Sequence, residues 1–119
     1  VKHYFCDPWR LEYMKQLLPP EIQAKFIEIP QSMSGMSCGM QELDSMFRSR
    51  EISHPKDPLG RWSFGNVRVA VDGNENMKPM KNKSIERIDP TVALINAMAG
   101  AIKLEPRRSV YESRGMRAI

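Results

Sequence analysis

The sequence predicts an α/β chain: a βαβ unit, then a helix, a β-hairpin and a C-terminal helix. Three observations carry this reading. Residues 2–29 run strand, helix, strand, punctuated by Asp7-Pro8 and Pro19-Pro20. Apolar residues from Met36 to Phe47 recur at helical spacing. A turn signal at Asp72-Gly73-Asn74 precedes a second long apolar helix pattern, Val92 to Ile102.

The elements follow in order. Residues 2–6 are apolar and aromatic and read as a short strand. Asp7-Pro8 then reads as an N-cap with Pro at the first helical position. Leu11, Met14, Leu17 and Leu18 share one helical face, and Pro19-Pro20 stops that helix. Lys25 to Ile29 forms a second strand, ended by Pro30. Two strands joined through a helix are parallel neighbours. Gln31 to Gly35 is a polar loop. Met36, Met40, Leu43, Met46 and Phe47 then line a second helix that ends near Arg50. A Met-rich face of this kind reads first as core filler. His54 to Gly60 is expected to be a loop with two prolines.

Val67 to Val71 alternates as a strand, and Asn76 to Met80 returns as its partner. Pro79 confines that second arm to an edge. The last helix runs from about Pro90 to Ile102, with Val92, Ile95, Met98, Ala99 and Ile102 on one face and Leu94 broadening it. From Pro106 onward the chain is a basic tail, expected to be loosely held. The expected division is a domain over 1–105 and a tail over 106–119.

The 119 residues suit one hydrophobic core. No apolar run is long enough to span a membrane. The opening residues lack the apolar core of a signal peptide, and a start on Val inside a strand suggests a trimmed beginning. Cys6 and Cys38 are too few for a disulfide framework or a zinc motif, so both read as reduced thiols. The net charge of +4 is uneven. Residues 1–75 hold nine Lys/Arg and ten Asp/Glu; residues 76–119 hold nine and four. A basic C-terminal half suits an anionic polymer, or simply a soluble basic surface.

Asp7 and Asp89 are the carboxylates that matter most. Each precedes Pro and each is expected to begin a helix, where capping is the ordinary role. Asp57-Pro58 repeats the dipeptide where only a loop is expected. Asp7 is distinguished by its place at the C-terminal end of the first strand of the βαβ unit, where open α/β sheets bind ligands. Lys78, Lys81, Lys83 and Arg87 precede Asp89, and Arg107 and Arg108 follow in the tail. They form either a phosphate-facing run or a solvated rim. His3 and His54 make no metal-ligand spacing with the cysteines. No P-loop, Rossmann fingerprint or G-x-S-x-G is present, which leaves no basis for ATP hydrolysis or serine-hydrolase chemistry.

Five segments together resemble the C-terminal end of the nuclease domain of the large terminase subunit of tailed bacteriophages. They are Tyr4-Phe5-Cys6-Asp7-Pro8-Trp9-Arg10, Gln31-Ser32-Met33-Ser34, Met40-Gln41-Glu42-Leu43, Arg61-Trp62-Ser63-Phe64-Gly65-Asn66-Val67, and Lys83 through Leu94. Ser109 to Gly115 is similar too. Each motif alone is weak; their order over nearly the whole chain is more specific.

The resemblance implies an RNase H-like fold that cleaves concatemeric DNA during genome packaging. It implies that Asp7 and Asp89 are the second and third acids of a site for Mg²⁺ or Mn²⁺. The first acid, the central strand and the packaging ATPase would all precede Val1. The chain then corresponds to the distal half of the domain, with little or no activity alone. A prophage remnant, a fragment and a truncated gene product all fit. Implied partners are double-stranded DNA, the small terminase subunit and the portal, in the cytoplasm of a bacterial host. A homo-oligomer is expected from the unpaired first strand. Two rival readings stand beside this one: a non-catalytic DNA- or partner-binding remnant, and a small interaction domain unrelated to nucleic acid.

Overall fold

In a computed structural model that describes residues 1–104, β1 (Tyr4–Cys6) and β2 (Phe26–Glu28) lie parallel. Tyr4 stands opposite Phe26, Phe5 opposite Ile27 and Cys6 opposite Glu28. The βαβ reading therefore holds, with a change in its crossover. The single helix expected there is two short ones, α1 (Leu11–Lys15) and α2 (Pro20–Gln23). Pro20 occupies the first turn of α2, where its missing N–H costs nothing. The proline pair thus separates two helices and also starts the second.

Asp7 does not cap α1. The residue before that helix is Arg10, in the left-handed region at φ 59°. The Asp7 carboxylate instead accepts the Trp9 N–H at 2.9 Å, closing a local turn.

α3 (Met33–Ser49) begins inside the segment expected to be a loop. Ser32 explains this: its Oγ accepts the Gly35 N–H at 3.1 Å, the usual way a serine starts a helix. Arg50, at φ 58°, closes the other end as expected. The Met-rich face is core: Met36 and Leu43 are buried against Ile95 of α5 (Asp89–Leu104), with Met40, Phe47, Ile52, Val92 and Met98 around them. Gly39 allows the two helices to cross closely. A Cβ there would lie 2.6 Å from the Ile95 carbonyl oxygen and 2.8 Å from the Ala99 nitrogen.

The expected loop through Gly60 is corrected as well. Residues 58–66 form α4 (Pro58–Asn66), and Asp57 is its cap, accepting the Leu59 and Gly60 N–H groups at 3.3 and 2.6 Å. Pro58 sits at the first turn, so Asp57-Pro58 is a helix start. Ser63, fully buried, ties α4 to α5. Its Oγ lies 2.8 Å from Thr91 Oγ1 and accepts the Thr91 N–H at 3.2 Å.

β3 (Val69–Val71) and β4 (Met77–Pro79) form the expected antiparallel hairpin, with Val69 opposite Pro79. Asp72 shapes its turn by accepting the Asn74 and Asn76 N–H groups, each at 2.9 Å. The hairpin is a sheet of its own, separate from β1 and β2 among the described residues. It rests on α3, where Met77 N–H donates to the buried Ser37 Oγ at 3.1 Å.

Candidate functional site

Asp7 stands just past the end of β1, and α5 packs against that strand. The approach is close because Gly100 faces the Phe5 ring, where a Cβ would collide. Ile88, buried, anchors the chain immediately before α5 and so fixes where Asp89 emerges.

A cavity of about 330 Å³ opens between these elements, lined among others by Asp7, Gln31, Met36, Lys78, Lys81 and Val92. Lys81 connects Asp89 to it, its Nζ donating to Asp89 Oδ1 at 2.7 Å. That hydrogen bond, followed by the charge of Lys81 and a smaller contribution from Arg87, holds the Asp89 carboxyl below its ordinary pKa. Both side chains are more than half exposed, so the pair sets charge state more than stability. On another wall, Gln31 donates to the Ile29 carbonyl at 2.8 Å and to Asn96 Oδ1 at 3.1 Å. It links the end of β2 to α5. The sequence marks Gln31 only as part of a family-like segment and gives it no role, and the only signal for Asn96 is a polar residue on an otherwise apolar helix face.

The predicted cations divide into three groups. Lys78, on β4, and Lys81 line the cavity. Lys83 and Arg87 are exposed on the connection between β4 and α5, outside the cavity wall. Arg107 and Arg108, with the rest of the expected tail, lie outside the described residues.

Among the described residues, no cluster of three or more His, Cys, Asp or Glu could hold a metal ion. Asp7 and Asp89 are hard oxygen donors of the kind that suit Mg²⁺ or Mn²⁺. Two carboxylates match one such ion in chemistry; they are too few to fix a pair.

A second, larger cavity of about 370 Å³, lined by Phe47, His54, Phe64, Pro90 and Leu94 among others, borders the first turn of α5, but neither Asp7 nor Asp89 lines it. Its carboxylate, Asp57, is already occupied by capping α4. We therefore place the candidate chemistry in the smaller cavity. The two thiols are free, and burial pushes Cys6 above its usual pKa.

Asp7, past the end of β1, and Asp89, opening α5, thus stand on elements that pack together. The chain belongs to the family described as terminase large subunit, endonuclease domain, which matches residues 1–105. It is 33% identical over 98 residues to Protein YmfN of Escherichia coli (strain K12), covering 78% of this chain and 22% of YmfN. The fold is similar to the crystal structure of the HK97 bacteriophage large terminase, with a TM-score of 0.71 and 23% identity. That match covers 80% of this chain and 20% of the HK97 protein. The chain thus spans about a fifth of the length of either relative.

Proposed function

We propose that this chain supplies the distal part of a divalent-metal-dependent DNA endonuclease site, the packaging nuclease of a tailed phage or prophage. The observation that carries the reading is the meeting of Asp7, Lys78 and Lys81 at one cavity, with Asp89 held by Lys81 at 2.7 Å. Family membership over residues 1–105 supports it. Asp7 and Asp89 would hold the metal, which polarises a phosphodiester and lowers the pKa of an attacking water. Lys78 and Lys81 would draw the DNA backbone toward the acids. The substrate is double-stranded DNA in the host cytoplasm, and the small terminase subunit and portal are the partners proposed with it.

Cleavage by these 119 residues alone should be slight, since two acids do not make a two-ion site. A plasmid-nicking assay with Mg²⁺ or Mn²⁺ tests this. Robust nicking that Asp89→Ala abolishes would overturn the inactivity and point to a further carboxylate, with Asp72 and Glu86 the first to examine. The non-catalytic alternative rests on the same cations. It gains weight if DNA binds in a salt-dependent manner while Asp7→Asn and Asp89→Asn leave divalent-ion binding unchanged.

A further inference from the structure

We propose that Trp9 and Arg10 form a stacking platform for an unpaired nucleobase beside the cleavage site, so that locally opened DNA is bound there in preference to intact duplex. The inference rests on the nuclease reading and adds a ligand contact to it.

Trp9, two residues from Asp7, is 71% exposed. Tyr13 and Leu17 are as exposed, so exposure alone does not distinguish Trp9; its link to Asp7 and its cation partner do. The Trp9 backbone N–H donates to the Asp7 carboxylate at 2.9 Å, so the turn that presents Trp9 is tied to the candidate metal ligand. Arg10 then takes the left-handed conformation at φ 59°, as three other non-glycine residues do among those described. The result is that the Arg10 guanidinium lies 4.3 Å from the centre of the Trp9 ring.

Such a cation over one face stiffens the indole and leaves the other face for a flat partner. Charge identifies that partner. An apolar protein surface or a lipid interior would bury the Arg10 guanidinium without an acidic mate. A nucleotide supplies both needs, a π-face for the indole and a phosphate for the guanidinium. Asp7 also opens onto the cavity that Lys78 and Lys81 line, so a strand whose backbone follows those lysines would pass beside the platform. A paired base hides its face inside the duplex. Only a base that has left the stack can use Trp9.

The test uses the full 119-residue chain in EDTA, which prevents cleavage, on a Trp62→Phe background so that Trp9 is the sole fluorophore of its kind. A short thymidine oligonucleotide and a blunt duplex of equal length are titrated separately. The proposal expects quenching of Trp9 fluorescence by the single strand and little by the duplex. In fluorescence-independent binding assays, W9A should weaken single-strand affinity roughly tenfold, and W9F should restore most of it. Duplex affinity should stay within about twofold in both variants. Because Trp9 is mostly exposed, circular dichroism should show the same fold in each. If both DNAs bind through Lys78 and Lys81 while W9A changes neither, the platform is wrong and the nuclease reading stands. If neither DNA binds, both fall. Equal quenching by the two DNAs would also overturn the preference for opened strands.

Discussion

Ser63 shows how one buried hydroxyl can hold two helices in register. It has no exposure, lies 2.8 Å from the Thr91 hydroxyl and accepts the Thr91 N–H. Ser63→Ala removes the acceptor and leaves the polar groups of Thr91 buried without it. Such a loss costs about 1–3 kcal/mol. Urea denaturation should read that drop, whereas Ser45→Ala on the exposed side of α3 should stay within about 0.5 kcal/mol. The Lys81–Asp89 pair behaves differently, being more than half exposed on both sides. Asp89 has its pKa lowered in the folded chain, first by the hydrogen bond from Lys81. Its contribution is therefore complete above the unfolded aspartate value of about 4 and disappears as pH falls through the lower folded value. Lys81→Met should return the Asp89 titration toward the ordinary range, seen by carboxyl NMR. At neutral pH it should cost no more than about 1 kcal/mol, and the cost should vanish on acidification.

At the scale of elements, the crossing of α3 and α5 carries most of the described core. Gly39 is its pivot. An added methyl would meet the backbone of Ile95 and Ala99 at 2.6 and 2.8 Å, and helix backbone cannot turn aside as a long side chain can. Gly39→Ala should destabilise by about 1–3 kcal/mol in thermal or urea melts, although alanine is the better helix former. The same elements show what the sequence could disclose. The parallel pair, α3, the hairpin and α5 were all legible, because apolar spacing and turn residues agree with the tertiary packing there. α4 was missed because its start looks like a loop: Pro55 and Asp57 precede it and Pro58 opens it, and its burial rests on the small hydroxyl of Ser63. The break between α1 and α2 was missed because Leu17 and Leu18 continue the helical period up to the prolines, yet Leu17 is 73% exposed and gives that last turn no packing. In the site, Asp7 and Asp89 stood out from their positions and from the family resemblance. The hydrogen bond from Lys81 to Asp89 did not, since it joins the hairpin's exit to the helix start by a side chain on an irregular connection. Gln31 and Asn96 meet across 65 residues, a pairing that no local pattern encodes.

At the scale of the whole molecule, the most consequential feature is a strand with one open side. β1 bonds to β2 through Tyr4 N–H, which donates to the Lys25 carbonyl at 2.9 Å, and through the Cys6 carbonyl, which accepts Ile29 N–H at 2.8 Å. Because backbone groups alternate along a strand, those of Phe5 point the other way. No strand lies on that side among the described residues, and the hairpin pairs only with itself. α5 packs on a face of β1, with Gly100 set against the Phe5 ring. Such an edge is a template for another chain. Two things limit its strength: β1 is only three residues long, and the charged Lys2 and Asp7 flank it. The expected outcome is weak, reversible self-association of these 119 residues. Sedimentation velocity should show the mean mass rising with concentration, and a short peptide that can add a strand should suppress the rise. Phe5→Pro should also abolish it, since it removes the N–H that Phe5 presents on the open side; its cost to α5 packing is checked by comparing melts at the lowest concentration. A monomer at every concentration with a high Tm would show instead that the open side of β1 is closed within the chain itself.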